Sequence, residues 1–294
     1  MKLAHYSKNG EVRVGVVEGA MLYDLPATRM NLDAAGKWTI DEILSKELSA
    51  SLRDVERPAS GIPIESVKLL TPVLNPEKIL LMAVNYHSHR REFKSEAPKE
   101  PYLFTKFRNA LVDPGAPVLL PKISSQVDWE VELAVIIGKT GKNIAKQDAM
   151  SYVAGYTVSN DISFRDMQFS TRLPDGNTKL GLNWVKGKGL DASFPLGPWL
   201  VTRDEITDPQ KLQISLTVNG KIRQQSTTDD MIFRIDDIIE YASRDMTLKP
   251  GDIISTGTPE GVSAFTGGRY LKDGDMMEAT IEKIGTLRNP VRAE

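Results

Sequence analysis

Cysteine is absent from the 294-residue chain, and histidine occurs only three times. The first absence excludes disulfides, thiolate zinc sites and cysteine nucleophiles together, leaving carboxylates and histidines as metal ligands. An excess of one charge is also lacking, since 37 Lys and Arg stand against 39 Asp and Glu for a formal net charge of -2. Without a global basic field, neither nucleic acid nor an anionic membrane is an expected partner, and any anion recognition must be local. No run approaches the ~18 apolar residues of a membrane span. The opening "MKLAHYSKNGEVRVGVV" alternates polar and apolar residues and has no signal-peptide core, so the cytoplasm is the expected location. Repeats, low-complexity tracts and Rossmann or phosphate-loop signatures are missing too; "GKTGKN" lacks the required spacing and reads as a polar turn. What remains, 40% hydrophobic and 26% charged, is the composition of a globular chain with a sizeable core.

The pattern is rich in strands. "KLAHYS", "VRVGVV" and "MLYDL" form an expected meander with turns at Asn9-Gly10 and Glu18-Gly19. A helix is expected in "TIDEILSKELSASL", where Thr39 and Glu42 have capping-box spacing and Ile40, Ile43, Leu44 and Leu48 share a face. Pro58, Gly61 and Pro63 mark a connector, which divides the chain into a small N-terminal β-rich domain over 1–70 and a main domain over 71–294. Beyond it, "KILLMAV", "WEVELAVIIG", "YVAGYTVSND" and "GDIIST" read as strands, and "AKQDAMSYV" and "RIDDIIEYASR" as helices. A hairpin turns at Asn219-Gly220, and a last strand pair lies in "DGDMMEATIEKIGTLRN". The expected class is α+β and β-rich, with a rolled sheet.

Carboxylates at strand ends suggest a hard cation. Glu130 and Glu132 are two apart, so they leave one face of a strand about 7 Å apart at the backbone. A row of exposed acids is the ordinary reading of Glu-x-Glu, but Leu133 to Ile137 is apolar on both faces, and acids at the mouth of a buried strand cost desolvation unless paired or metal-bound. Asp161, ending "GYTVSND", is a third acid at a strand end, alone most often a turn or cap residue. Three such oxygens favour Mg²⁺ or Mn²⁺, with Ca²⁺ also compatible. Arg165 and Gln168 share a helix face in "SFRDMQ", suited to a substrate carboxylate, although an ion pair of Arg165 with Asp166 or Asp161 is the simpler reading. Lys188 sits between glycines in what reads as a flexible basic loop, and Gly257, Thr258 and Gly261 shape a loop after a strand.

"NYHSHRREF" carries the other two histidines. The absence of Gly and Pro permits one or two helical turns, which put His89 beside Glu92 at i to i+3 as a general-base dyad. His87 then points elsewhere, arguing against a histidine metal pair. The plain alternative is a charged surface helix.

The ordered set "NYHSHRRE", "FTKF", "DWEVELAVIIGK", "GYTVSNDISFRDMQ", "KGKGLD", "PLGPW" and "GDIISTGTPEGV" resembles the fumarylacetoacetate hydrolase family over about residues 70 to 292. The resemblance implies a mixed β-roll catalytic domain, a homodimer, and Mg²⁺ or Mn²⁺ at Glu130, Glu132 and Asp161. It also implies a lid dyad at His89 and Glu92, and contacts to a small 2-oxoacid substrate from Arg165, Gln168, Lys188 and Thr258, with Tyr86 counted among them. Ala83 departs from the glycine of many relatives. The implied reaction is metal-dependent hydrolysis of the C–C bond of an acylpyruvate-type diketo acid, with an enolate leaving group, Lys188 stabilising oxyanion charge and His89 activating water. Oxaloacetate decarboxylation, isomerisation or dehydration of a related oxoacid begins from the same chelate, and a non-catalytic oxoacid-binding protein is the reading of another class.

Overall fold

The computed structural model describes residues 1–25, 39–46, 58–94, 96–169 and 182–294. The N-terminal meander forms as Lys2–Lys8, Glu11–Glu18 and Met21–Asp24. Asn9 and Gly10 take φ +53° and +81°, the left-handed pair that a tight hairpin requires. The second turn sits one residue later than expected, at Gly19 and Ala20, because Gly19 supplies the positive φ of +57° at the first central position. Helix Ile40–Ser45 opens with a complete capping box, Thr39 Oγ1 accepting from Glu42 N (3.2 Å) and Glu42 Oε2 accepting from Thr39 N (2.9 Å). Leu48 and the rest of that expected helix fall outside the described residues.

These elements join a 12-stranded sheet. Lys2–Lys8 pairs with Phe194–Thr202, which pairs in turn with Val153–Asn160, and that with Val131–Ile137. Beyond lie Ile253–Ser255, Ile79–Met82 and Leu103–Lys106, the first two parallel to each other. The Val131–Ile137 strand is buried throughout. Its odd residues, Val131 to Ile137, enter one apolar core, and Ala134 and Ile136 enter the other. The first core lies against a five-stranded sheet containing Gln213–Val218, Lys221–Thr227, Met276–Ile281 and Gly285–Ala293, and against helix Ile235–Ala242. Burial of each large apolar side chain contributes roughly 1.5–3 kcal/mol, so a strand shared by two cores is rigid. The acids attached to its mouth inherit that rigidity. The strand-rich, mixed-sheet α+β class expected from the sequence is the one observed.

The third histidine, His5, ties the meander to the remainder. Its Nδ1 lies 2.9 Å from the Thr71 carbonyl, and its Nε2 accepts from Ile40 N at 2.7 Å. A carbonyl only accepts and an N–H only donates, so the ring is neutral with its proton on Nδ1. Burial lowers its pKa from 6.5, against the opposing effects of the Thr71 carbonyl, Asp41 and Asp113. A lowered histidine pKa means that the unfolded chain binds the proton first, so the stabilisation is complete above about 6.5 and is lost as pH falls below it. Thermal midpoints measured down from neutrality should fall by an increment equivalent to at most about 1.4 kcal/mol per pH unit. His5→Gln, whose amide both donates and accepts, should remove that increment; an unaltered pH slope in this variant would rule His5 out as its source.

Candidate active site

The central strands end in a cleft lined by Met82, Ala83, Val84, His89, Phe104, Glu130, Glu132, Arg165, Gln168, Trp184, Lys188 and Thr258. Glu130 stands one residue before its strand and Asp161 one residue after Val153–Asn160, and the Asp161 N–H donates to the Glu130 carbonyl at 2.8 Å. One carboxylate oxygen from each of Glu130, Glu132 and Asp161 lies within 4.8 Å of the others, and all three side chains are buried. The strand-end spacing therefore brings the three expected acids together.

Their partners differ. Glu130 accepts from Arg165 Nη2 (2.5 Å) and Lys188 Nζ (2.6 Å). Burial pushes its carboxyl up, but the charges of Lys188 and Arg165 outweigh that and hold it well below the usual range. Asp161 accepts from Lys188 Nζ at 2.6 Å. Its other oxygen, Oδ1, is 3.0 Å from Lys106 Nζ but has no directed hydrogen bond. Glu132 is held by Ser255 Oγ (2.5 Å) and Gly257 N (2.9 Å), with no ion pair among the described residues. Burial, then Asp161 and Glu130, raise its carboxyl well above the ordinary range. A buried Asp161 oxygen without a directed hydrogen bond and a buried Glu132 carboxyl without an ion pair among the described residues suit a hard divalent cation. The donor set fits the group.

The cations are equally fixed. Lys188 is not in a flexible loop: it ends helix Trp184–Lys188, is buried, and bridges Glu130 and Asp161. Burial lowers its pKa, and Asp161 and Glu130 more than reverse this, so it remains an ammonium. Arg165 pairs with neither Asp166 nor Asp161. Its Nε donates to Asp128 (2.9 Å), Nη2 to Glu130 and Nη1 to Gln168 Oε1 (3.2 Å), which leaves two of its five N–H donors. Asp166 instead caps Ser124 and Ser125.

The His87–Phe93 helix forms as expected. His89 turns inward and is buried, whereas His87 is exposed, so the charged surface-helix alternative fails for His89. Its Nδ1 lies 2.8 Å from Glu92 Oε2, and Glu92 Oε1 accepts from Gly261 N at 2.9 Å. The carboxylate thus fixes the Nδ1–H tautomer and leaves Nε2 as the other ring nitrogen. Asn85 anchors the helix start through Phe233 N (2.8 Å), Phe233 O (3.1 Å) and Thr256 O (2.8 Å). Before it, Val84 is held at φ +54°, a rare conformation for a β-branched residue. Thr258 donates to the Val131 carbonyl at 2.9 Å and reaches the cleft. Tyr86 is fully buried and is not among the cleft residues, so the structure does not bring it to the expected substrate contacts.

Three residues escaped the reading of the sequence. Lys106 donates to Ile162 O and Ser193 O, each at 2.9 Å, and to Lys188 O; burial lowers its pKa to about 8. The period-two alternation Phe104 to Lys106 carried the signal, since both are buried. Asp128 accepts from Ser263 N (2.7 Å), Ala264 N (3.0 Å) and Arg165, and it shares sequence parity with Glu130 and Glu132. Gln224 accepts from Val131 N (2.9 Å) and donates to Thr258 Oγ1 (2.8 Å) and Pro259 O (2.9 Å), stapling the acid strand to the Thr258 loop; nothing local in "IRQQ" marked it. Asp128→Ala leaves a buried Arg165 without a principal partner and should cost about 3–5 kcal/mol in stability. Urea unfolding checks this, and a loss below about 1 kcal/mol would mean the guanidinium finds water.

The sequence and the fold both have counterparts among known proteins. Residues 78–292 match the family described as fumarylacetoacetate (FAA) hydrolase C-terminal. Mitochondrial oxaloacetate tautomerase FAHD2A of Bos taurus is 45% identical over 245 residues, covering 83% of this chain and 76% of that protein. Among solved structures, a fumarylacetoacetate hydrolase from psychrophilic Exiguobacterium antarcticum superposes with a TM-score of 0.82 at 33% identity, with 100% of both chains covered. The maleylpyruvate hydrolase of Sphingobium sp. SYK-6 does so at 0.79 and 33%, again over 100% of both. Among the described residues, no helix is long and apolar enough to cross a membrane.

Proposed function

The chain belongs to the fumarylacetoacetate hydrolase family, and from that premise we propose that it is a divalent-metal-dependent enzyme interconverting the enol and keto forms of a small 2-oxodicarboxylic acid, oxaloacetate. The observation that carries this reading is the His89–Glu92 dyad, locked by Gly261 and facing the same cleft as the carboxylate and lysine cluster. The pairing supplies a proton carrier beside a site for enolate charge, which is what tautomerisation needs. The 45% identical oxaloacetate tautomerase points to the same substrate class.

Glu130, Glu132 and Asp161 would hold Mg²⁺ or Mn²⁺, which would supply Lewis acidity and lower the cost of negative charge on the enol oxygen. Arg165 binds a substrate carboxylate with its two remaining N–H donors, and Gln168 fixes the guanidinium plane. In the enol-to-keto direction the enol oxygen loses one proton and C3 gains one. His89 Nε2 moves that proton while Glu92 holds Nδ1–H and stabilises the imidazolium that forms transiently. Lys188, kept charged by its acid partners, opposes charge on the oxygen.

Hydrolysis of an acylpyruvate is the second reading, favoured by the maleylpyruvate hydrolase likeness and by a dyad equally able to take a proton from water. Its products separate it from tautomerisation. With oxaloacetate in D₂O and Mg²⁺ or Mn²⁺, faster loss of enol absorbance and deuterium at C3, without pyruvate release, is expected; both should stop with chelator. Cleavage of a diketo acid to pyruvate with no acceleration of ketonisation would replace the proposal by hydrolysis, and rapid pyruvate formation from oxaloacetate would replace it by decarboxylation.

A further inference from the structure

A second cavity, about 560 Å³, shares no residue with the candidate active site. Trp129, Arg223, Arg269, Tyr270, Lys272 and Asp275 contribute to its wall. Three of these are cations, in a chain whose formal net charge is -2. The Arg223 guanidinium lies over the Trp129 ring at 5.7 Å, and its Nε is buried without a hydrogen-bond partner. Neither Arg269 nor Lys272 has an ion pair among the described residues. Asp275, the carboxylate of the wall, is committed: it accepts from Asn219 Nδ2 and from Lys272 N, both at 2.8 Å. Like charges gathered around an open space repel, and an orphaned guanidinium N–H requires an acceptor.

We propose that this cavity binds a small multivalent oxyanion, a phosphate ester or a polycarboxylate. The guanidinium groups offer fork-shaped donors to paired oxygens, and Lys272 adds a mobile point charge. The pocket also adjoins the dyad by a short covalent and hydrogen-bonded route. Trp129 Nε1 donates to Gly261 O at 3.1 Å, and Gly261 N holds Glu92. The Arg223 carbonyl would stand 2.0 Å from a Cβ on Gly261, whose φ of +106° also requires glycine.

The test titrates inorganic phosphate and, separately, citrate into the full chain freed of metal by a chelator, at ionic strength held constant with chloride. Saturable heat and a change in tryptophan emission are expected with at least one anion. Phosphate alone would identify the phosphate-ester class, and citrate alone the polycarboxylate class. Arg223→Gln and Arg269→Gln should each weaken binding by about tenfold or more, whereas Glu132→Ala should leave it unchanged. Arg269 is exposed, so its variant keeps the test valid if loss of the Arg223 stack disturbs Trp129. Absence of saturable binding of both anions, or affinities unaltered by both arginine substitutions, overturns the proposal. A changed affinity in Glu132→Ala, a strengthening above all, overturns it too, since an anion that senses the loss of that carboxyl would occupy the cleft.

Discussion

Glu132→Ala should abolish the thermal stabilisation that Mg²⁺ or Mn²⁺ gives the protein and lower kcat/KM by about a thousandfold or more. Glu132 is chosen over Glu130 because its removal strands no cation. Glu130 already compensates Lys188 and Arg165, so its loss would mix metal effects with collapse of a buried ion network. Glu132 instead has a hydroxyl and one backbone N–H as partners, in surroundings that raise its carboxyl above the ordinary range. A cation at a hundred times its Kd stabilises the folded chain by about 2.7 kcal/mol. Paired melts with Mn²⁺ and with chelator read this directly, without any assumption about substrate. A variant that retained the full gain would place the metal elsewhere.

His89→Gln should lower turnover by about 10²–10⁴-fold while leaving metal-dependent stabilisation intact. The separation follows from the geometry, because His89 is held by Glu92 and is not one of the three acids that would hold the metal. Glu92→Gln cannot hold Nδ1–H as a carboxylate does, and should cost at least about a hundredfold. Its distinguishing readout is the split between turnover and stability: kcat should fall with the Mn²⁺-dependent rise in melting midpoint retained, whereas a merely structural Glu92 would lower the midpoint with and without metal and keep kcat. Equal metal stabilisation with unreduced turnover in His89→Gln would remove the dyad from proton transfer.

The parts legible in sequence were those with local causes. Left-handed residues fixed the hairpins at Asn9-Gly10 and Asn219-Gly220, and the Thr39 and Glu42 pair fixed a helix start. Apolar runs located the central strands, and the acids at their ends became one cluster. Spacing alone offered candidates; the ordered motifs joined them. Lys188 was misread because neighbouring glycines suggested mobility, while its actual constraint comes from acids 58 and 27 positions earlier. Lys106 and Asp128 carry only a parity signal in the sequence and Gln224 none, for the same reason: a buried charge or amide is decided by distant partners, and its residue type favours exposure. Arg165 shows the middle case, its helix face foreseen and its acid partners not.

The parallel pairing of Ile79–Met82 with Ile253–Ser255 has a consequence for the order of events on the ribosome. A nascent chain ending near residue 250 already carries Glu130, Glu132, Asp161, His89 and Glu92. It still lacks the strand inserted between Val131–Ile137 and Ile79–Met82, together with Ser255 and Gly257, which orient Glu132. Pairing across such separations is slow because the intervening loop must close first. The complete acid cluster is therefore assembled late, and a chain arrested before that point exposes two unsatisfied sheet edges to the aggregation that cotranslational chaperones exist to prevent.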